Sequence, residues 1–532
     1  MYPSKVYFLQ DEYDKIMPLY RDISSMSILI NSKFRQSMTI LLRSIRILIS
    51  SMYEDDSKNK INSNKKILII GGVAAGTSAA SKARRIDSSV DIKIIQNERL
   101  VSYGSCGFPY VIEGVVNNFD KLIARSLDEF KNKYDVDIIT NTEATRIDPF
   151  NKQVYTIDLD ERNKRVFDYD SLVISTGARS IVPKIRGIDD KNIRYFRNLF
   201  TLRNFEDANR IQDFLKNVKT AIIIGAGLIG IEMAEALKKR GISVIMIQRS
   251  NHVLSGMIDN DMAKLVEEEL VKNGVNLLLQ ENVEEIVFSN SNSTNTPGKD
   301  MIYVEGIRTN KRKVIADCIL IGVGIVPNSE IAYKAGIKLG TYNAIKVDNT
   351  MRTNISNIFA AGDCATATNY LTNNDDYLPL GTTANKQGRI AGENAVTGGN
   401  IQFRGIAGSS ITKAFGLLIA KTGLSKEEAK MNGFDPIDTK IEDITRARYY
   451  PDNKPIWIKL ISDKKSRRIL GAQIIGGESV KGRIDLISFA LLMKATVDDL
   501  ASFDACYVPP VSTVWDPITI ASMQLVKLLN KS

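Results

Sequence analysis

The chain has 532 residues, 44% hydrophobic and 25% charged, a balance that fits a folded globular protein and excludes disorder throughout. That length predicts about three domains, with a core large enough to need no disulfide or metal. Lysine and arginine number 71 against 61 acidic residues, a net charge of +10; the excess is mild, fits a small anionic ligand, and lacks the dense basic stripe of a nucleic-acid binder, so no nucleic-acid partner is expected.

Residues 1–64 differ from the rest. From Ile23 to Tyr53 there is no acidic residue, while Lys33, Arg35, Arg43 and Arg46 are basic. Ile40, Leu41, Leu42, Ile45, Leu48 and Ile49 recur at helical spacing and predict a basic amphipathic helix. The apolar runs fall short of the ~20 residues a bilayer requires. No small-residue cleavage site follows a signal-like core. The segment reads as an appendage without catalytic role, with Met26, Met38 and Met52 as candidate later starts. The alternative is contact with a membrane surface or a partner. Polar residues from Glu54 to Lys66 read as a linker.

Two segments then repeat one pattern. Lys66–Ile70 is a buried apolar strand, followed by Gly71-Gly72-Val73-Ala74-Ala75-Gly76, a small-residue helix through Arg85 and a strand from Ile92 to Ile95. Ala221–Ile224 leads likewise into Gly225-Ala226-Gly227-Leu228-Ile229-Gly230, a helix through Arg240 and a strand from Ser243 to Ile247. Each is a βαβ unit. Its glycines let the backbone turn tightly against a pyrophosphate, and its helix N-terminus supplies N–H groups to the phosphates. Val73 departs from the strict fingerprint at the middle glycine position. Two such units predict two dinucleotide sites.

The strand-end carboxylate that usually binds the adenosine ribose is replaced by Gln96 and Gln248. Gln96 can still hydrogen-bond a ribose, with Glu98 close by. Gln248 precedes Arg249 and Ser250; without the carboxylate a 2′-phosphate is not repelled, and Arg249 can pair with it, which favours NADPH over NADH. Further along, Ser175-Thr176-Gly177-Ala178 and Ile319 to Gly324 end strands. In Ala360-Ala361-Gly362-Asp363 the aspartate is placed to accept a hydrogen bond from a ribityl or ribose hydroxyl. After about residue 400 the glycine fingerprints stop, which marks a third domain.

Cys106, Cys318, Cys364 and Cys506 are far apart and His252 is the only histidine. This spacing excludes a zinc knuckle and a dithiol motif, and a Ser-His-Asp triad elsewhere in the chain is nearly excluded. No metal site is expected. Four scattered cysteines read as reduced and cytoplasmic. Cys318 and Cys364 lie in apolar strands and are expected to be buried.

From about residue 65 to its end the chain resembles the two-dinucleotide flavoprotein disulfide reductases. The order is FAD fingerprint, cysteine segment, NAD(P) fingerprint, Ala-Gly-Asp motif and C-terminal interface domain. Val101-Ser102-Tyr103-Gly104-Ser105-Cys106-Gly107-Phe108-Pro109-Tyr110 is similar to the single-cysteine branch, which contains coenzyme A disulfide reductases, NAD(P)H oxidases and sulfur or persulfide reductases. No second cysteine lies near Cys106, unlike the two-cysteine branch. Tyr449 in Arg-Ala-Arg-Tyr-Tyr-Pro, and Tyr507 before Val-Pro-Pro-Val-Ser, resemble the two active-site tyrosines of coenzyme A disulfide reductases. No rhodanese-like extension is expected after the third domain.

The resemblance implies an α/β fold: two Rossmann-like domains and an α+β dimerisation domain. FAD would be bound by residues 65–178 and 308–400, NADPH or NADH by 179–307, with dimerisation through 401–532. It implies a homodimer in which Tyr507 and Tyr449 serve the partner's site. It places FAD and the nicotinamide cofactor on Gly71, Gly72, Ala75, Gly76, Gln96, Thr176, Gly177, Gly362, Asp363, Gly225, Gly227, Gly230, Gln248, Arg249 and Gly324. Coenzyme A falls on Ser78, Lys82, Arg85, Ser102 and Ser105, with Lys82, Arg84 and Arg85 as a basic group for its phosphates. Ser105 replaces the asparagine common before the cysteine.

The activity implied is reduction of coenzyme A disulfide by way of a Cys106–coenzyme A mixed disulfide. If Cys106 begins a helix, the dipole favours its thiolate. Tyrosine is the proton donor left where histidine is lacking, Tyr507 first and Tyr449 second. The alternatives are an oxidase cycling Cys106 through a sulfenic acid, and a sulfur or polysulfide reductase. Outside this class stand a ferredoxin-reductase-like electron carrier that needs no cysteine, and a redox sensor or scaffold acting through 1–64. Cys506, beside Tyr507, is a candidate second thiol.

Overall fold

The computed structural model describes residues 65–190, 192–288 and 302–531; the expected basic helix in 1–64 lies outside them. Five parallel strands form the first sheet, in the order Ile358–Ala360, Ser171–Ile174, Lys66–Ile70, Asp91–Ile95, Asp137–Ile139. Ile67 to Ile70 are all buried, as in a parallel strand covered on both faces. The helix Ala74–Ile86 follows and packs against Gly381–Thr397. The chain order reverses beside Lys66–Ile70, and such a reversal opens a crevice at the strands' carboxyl ends.

The second sheet is also five-stranded and parallel, in the order Val275–Leu279, Ser243–Gln248, Thr220–Ile224, Cys318–Ile321, Leu199–Thr201, but its outer strand Leu199–Thr201 comes first in the chain rather than last. Cys318–Ile321 belongs to this sheet, so the second domain runs past the boundary expected at residue 307. The physical reason is pairing: Cys318–Ile321 bonds Thr220–Ile224 on one side and Leu199–Thr201 on the other before the chain returns. Ala178–Ser180 and Ile325–Pro327 carry the chain out of and back to the first domain and pair with each other antiparallel.

The third domain is an antiparallel sheet in the order Ser410–Ala414, Leu417–Gly423, Ile469–Gly476, Pro455–Asp463, Pro436–Ile444. Helices Val480–Leu492 and Pro517–Leu529 pack on it. Its middle strand is buried at every position, and Ile475 joins the apolar cluster of the second domain. Lys413 pairs with Glu235, and the Phe415 N–H donates to Glu235 Oε2 at 2.7 Å, which fastens the domain to the helix Leu228–Lys239. Among the described residues no helix is long and apolar enough to cross a membrane, and no cluster of His, Cys, Asp and Glu could hold a metal.

Candidate functional site

The first glycine turn is built by backbone contact. Gly71 holds φ at 103°, a region that favours glycine, and a Cβ on Gly76 would lie 1.8 Å from the Gly71 carbonyl oxygen. Val73 keeps a negative φ of −101°, so the middle position of this turn does not call for the left-handed conformation that favours glycine. The helix Ala74–Ile86 starts with no side-chain cap and no acidic residue in its first turn. Leu228–Lys239 starts in the same way after Gly227, behind Gly225 at φ 103°. Elsewhere Asn204, Ser425 and Thr496 cap their helices, while Gly381–Thr397 and Val480–Leu492 also start uncapped but outside any parallel β-α-β unit. The two glycine-turn helices thus leave their leading N–H groups for an anion, which fits the pyrophosphate of FAD at the first and of NAD(P)H at the second.

The two strand-end glutamines act alike. Gln96 Oε1 accepts the Gly72 N–H at 2.7 Å, and Gln248 Oε1 accepts the Ala226 N–H at 3.1 Å. Gln96 is buried and its acceptor is engaged inside the chain; its Nε2 reaches only the Leu100 carbonyl, at 3.5 Å. Because a backbone N–H requires an acceptor, each side-chain oxygen faces its turn and each amide NH2 points away. The Gln248 NH2 and the exposed Arg249 have no partner among the described residues. Glu98 accepts a hydrogen bond from the Tyr103 hydroxyl at 2.7 Å, and burial pushes its carboxyl up.

Asp363 follows the strand Ile358–Ala360 and pairs with Arg203, Oδ2 to Nη2 at 2.8 Å. The Tyr377 hydroxyl donates to the Asp363 carbonyl at 2.9 Å, and the Gly362 N–H donates to Gln387 Oε1 at 2.9 Å. Arg203, Tyr377 and Gln387 carry no sequence sign of this role, since Arg203 meets Asp363 from 160 positions away. Thr176 Oγ1 donates to the Asn328 carbonyl at 2.6 Å, and Asn328 Nδ2 donates to that of Thr176 at 2.9 Å. Gly177 and Gly324 lie just before the two crossing strands.

Cys106 is exposed, in the helical turn Ser105–Gly107 just before the short helix Phe108–Glu113. The segment is clamped from below. The Gly104 N–H donates to the Leu122 carbonyl at 2.9 Å, and the Ala124 N–H to that of Ser102 at 2.7 Å. Tyr103, Phe108, Phe119 and Phe205 cluster beneath it, with ring centroids 5.5 to 6.1 Å apart. Although Cys106 keeps an exposed edge, desolvation by the surrounding protein raises its thiol pKa. The Glu232 and Asp363 carboxylates add to the rise, and a backbone hydrogen bond and Arg203 oppose it. These effects outweigh the helix-start preference for thiolate. Iodoacetamide labelling of Cys106, followed by peptide mass mapping, is therefore expected to rise with pH. Its midpoint should lie above the ~8.5 of a free cysteine; a lower midpoint contradicts this electrostatic reading.

The residues expected to meet coenzyme A are differently engaged. Ser78 Oγ donates to Asn385 Oδ1 at 2.6 Å, and Lys82 Nζ lies 3.0 Å from Glu393. Arg84 is spent on the carbonyls of Tyr134, Ser88 and Asp135. Arg85 is exposed and bonds only the Ser81 carbonyl through Nε, so its forked NH2 pair is free among the described residues. Ser102 takes a left-handed φ of 51° beside the half-buried Ser105.

Tyr449 and Tyr507 stand together on the third domain, their hydroxyls 3.4 Å apart. The Tyr507 pKa is raised by its hydrogen bond with Tyr449, a pair in which either hydroxyl can donate. Cys506, Val508, Val511, Val514 and Trp515 beside them are exposed. No hydrogen bond or ring contact among the described residues joins either tyrosine to Cys106. Cys318 and Cys364 are fully buried, and His252 Nδ1 lies 2.9 Å from the Val253 carbonyl oxygen.

Residues 65–388 match the family described as pyridine nucleotide-disulphide oxidoreductase, and 410–517 match its dimerisation domain. The chain is 35% identical to an NADH oxidase of Methanocaldococcus jannaschii, over 87% of this chain and 99% of the relative. It is 31% identical to a coenzyme A disulfide reductase of Staphylococcus haemolyticus, over 84% and 96%. The solved structure of an NAD-dependent persulfide reductase from A. fulgidus superposes with a TM-score of 0.81 at 37% identity, covering 88% of this chain and 84% of that one.

Proposed function

The chain belongs to the pyridine nucleotide-disulphide oxidoreductase family, and on that premise we propose that it is an FAD-dependent NAD(P)H:coenzyme A disulfide reductase working as a homodimer. One observation carries the reading. Cys106 is an exposed thiol with no companion cysteine in its segment, and Cys318 and Cys364 are buried. The exposed Cys506 lies on the third domain, far along the chain, and no contact among the described residues joins it to Cys106, so the second sulfur of a redox disulfide at Cys106 is taken to come from the substrate.

FAD would be held by the uncapped helix behind Gly71, Gly72, Ala75 and Gly76, by Thr176 and Gly177, and by Gly362 and Asp363. Bound FAD would supply the two electrons, drawn from NAD(P)H, that cleave the mixed disulfide, leaving the Cys106 thiolate and releasing the second coenzyme A as its thiolate. The chain's own residues do the rest. The Cys106 thiolate attacks one sulfur of coenzyme A disulfide; a Cys106–coenzyme A bond forms, the original sulfur–sulfur bond breaks, and one coenzyme A thiolate leaves. Tyr507 of the partner subunit donates a hydrogen bond to the departing sulfur, with the hydroxyl of Tyr449 of the partner subunit beside its own. The free Arg85 fork supplies charge for a phosphate of coenzyme A.

Anaerobic NADPH oxidation on adding coenzyme A disulfide tests the acceptor. Rapid turnover supports the reading. No turnover until air is admitted would assign oxygen as acceptor, and turnover with polysulfide alone would assign sulfur.

The second site favours NADPH. Anchoring through Oε1 turns the Gln248 NH2 outward beside the unpaired Arg249, which gives two donors and no carboxylate where a 2′-phosphate would sit. Combining Gln248→Glu with Arg249→Ala should lower kcat/KM for NADPH on the order of tenfold to a hundredfold. NADH should change far less. Equal losses with both nucleotides in steady-state assays would remove the 2′-phosphate argument.

A further inference from the structure

Of the two hydroxyls proposed to serve Cys106, that of Tyr507 sits on a stretch without regular structure. Residues 504–516 form neither helix nor strand, and Ser512 is the only one of them that is buried. The anchors are few. The Ala447 N–H donates to the Pro509 carbonyl at 3.2 Å, which ties the Tyr449 segment to the Tyr507 segment. The other anchor is Arg483, on the helix Val480–Leu492 that packs on the third-domain sheet. Its Nη2 lies 2.7 Å from Asp516 Oδ2 and 3.4 Å from Ser512 Oγ, and its Nε lies 3.2 Å from both Asp516 oxygens. Ser512 Oγ donates to Asp516 Oδ2 at 3.1 Å, and Asp516 Oδ1 accepts the Ile518 N–H at 2.9 Å.

This ion pair is nearly closed to water, with side chains 9% and 14% exposed. Burying two charges costs desolvation that their attraction only roughly repays, so the pair is weak as a source of stability. Its geometry is its distinctive property. A planar guanidinium held by both carboxylate oxygens permits one orientation, and Ser512 ties the irregular segment to that plane.

We propose that Arg483 is a positioning residue for the Tyr449–Tyr507 hydroxyl pair, acting through Asp516 and Ser512 to fix the segment that carries Tyr507. The proposal rests on the reading that the pair serves a Cys106 reaction. Arg483 itself touches neither tyrosine in the hydrogen-bond network, so its effect must pass through the backbone of 504–516.

A kinetic double-mutant cycle on the flavin-loaded full-length enzyme tests it, with coenzyme A disulfide as substrate. Arg483→Met should lower kcat/KM on the order of tenfold to a hundredfold. Arg483→Lys, which keeps the charge without the fork, should recover part of that loss. Ser512→Ala, which removes a single hydrogen bond, should give a smaller loss in the same direction with little change in Tm. In a Tyr449→Phe, Tyr507→Phe background each of the three changes should cost almost nothing further.

Equal losses with and without the tyrosines would overturn positioning and leave Arg483 a purely structural residue. So would a fall in Tm with kcat/KM untouched. Should Arg483→Met fail to fold, Ser512→Ala and Arg483→Lys decide by the same comparison. Full activity of the doubly phenylalanine enzyme is a separate result: it removes the proposed role of the tyrosines, and the inference with it, while leaving the acceptor assay to judge the reductase reading.

Discussion

Cys106→Ser is expected to end coenzyme A disulfide reduction, lowering kcat by about three orders of magnitude or more. A serine hydroxyl is not ionised near neutral pH and forms no bond that two electrons can reopen. The substitution is close to isosteric in a segment held by the Gly104–Leu122 and Ser102–Ala124 hydrogen bonds and by the aromatic cluster below, so the fold should survive it. Flavin content should therefore equal that of the wild type. NADPH oxidation with ferricyanide, which needs no thiol, should persist. The readings diverge at this variant. Retained turnover with coenzyme A disulfide would move the reactive thiol elsewhere, with the exposed Cys506 as the next residue to replace. Loss of both activities would mean that the variant no longer holds its flavin, which the absorbance spectrum reports directly.

Gly76→Ala is expected to strip the flavin and to destabilise the first domain by about 3 kcal/mol or more. The added Cβ would sit 1.8 Å from the Gly71 carbonyl oxygen and 2.7 Å from Ser175 Oγ. The nearest clash is with backbone, so no rotamer change relieves it; the turn must open, and with it the uncapped helix start. Gly381→Ala is the matched control. It too lies on a helix flanking the first sheet, but a Cβ there meets nothing within 4 Å, so flavin content and Tm should hold. Flavin-to-protein ratio after gel filtration, together with thermal melts, reads both outcomes. A flavin-replete Gly76→Ala protein would show that the turn is not the pyrophosphate cradle.

Much of this was legible in the chain because it is local. An apolar strand, a glycine turn and a small-residue helix lie within about thirty residues, and the β-α repeat forces a parallel sheet with its crevice at the strand ends. Helix and strand limits from the pattern agree with the structure to within one residue at several ends: Ile86 against Arg85, Lys239 against Arg240, Gln248 against Ile247. The second domain's far limit was not legible. Cys318–Ile321 is an apolar run that either sheet could accept, and only its pairing with Thr220–Ile224 decides.

The site divides along the same line. Sequence alone determined the two dinucleotide turns, the lone cysteine in its Gly-Ser-Cys-Gly setting and the missing strand-end carboxylates, because each is a matter of residue identity at short spacing. Tertiary structure decided what those groups meet. It engaged Gln96 with Gly72, spent Arg84 on three carbonyls, paired Lys82 with Glu393 and left Arg85 open. It brought Arg203 to Asp363, and desolvated Cys106 enough, with the Glu232 and Asp363 carboxylates adding to the effect, to reverse the expected direction of its pKa. Hydrogen bonds and charge interactions act over a few ångströms of space whatever the separation along the chain, so a local pattern names the chemical groups and only the folded backbone sets their partners.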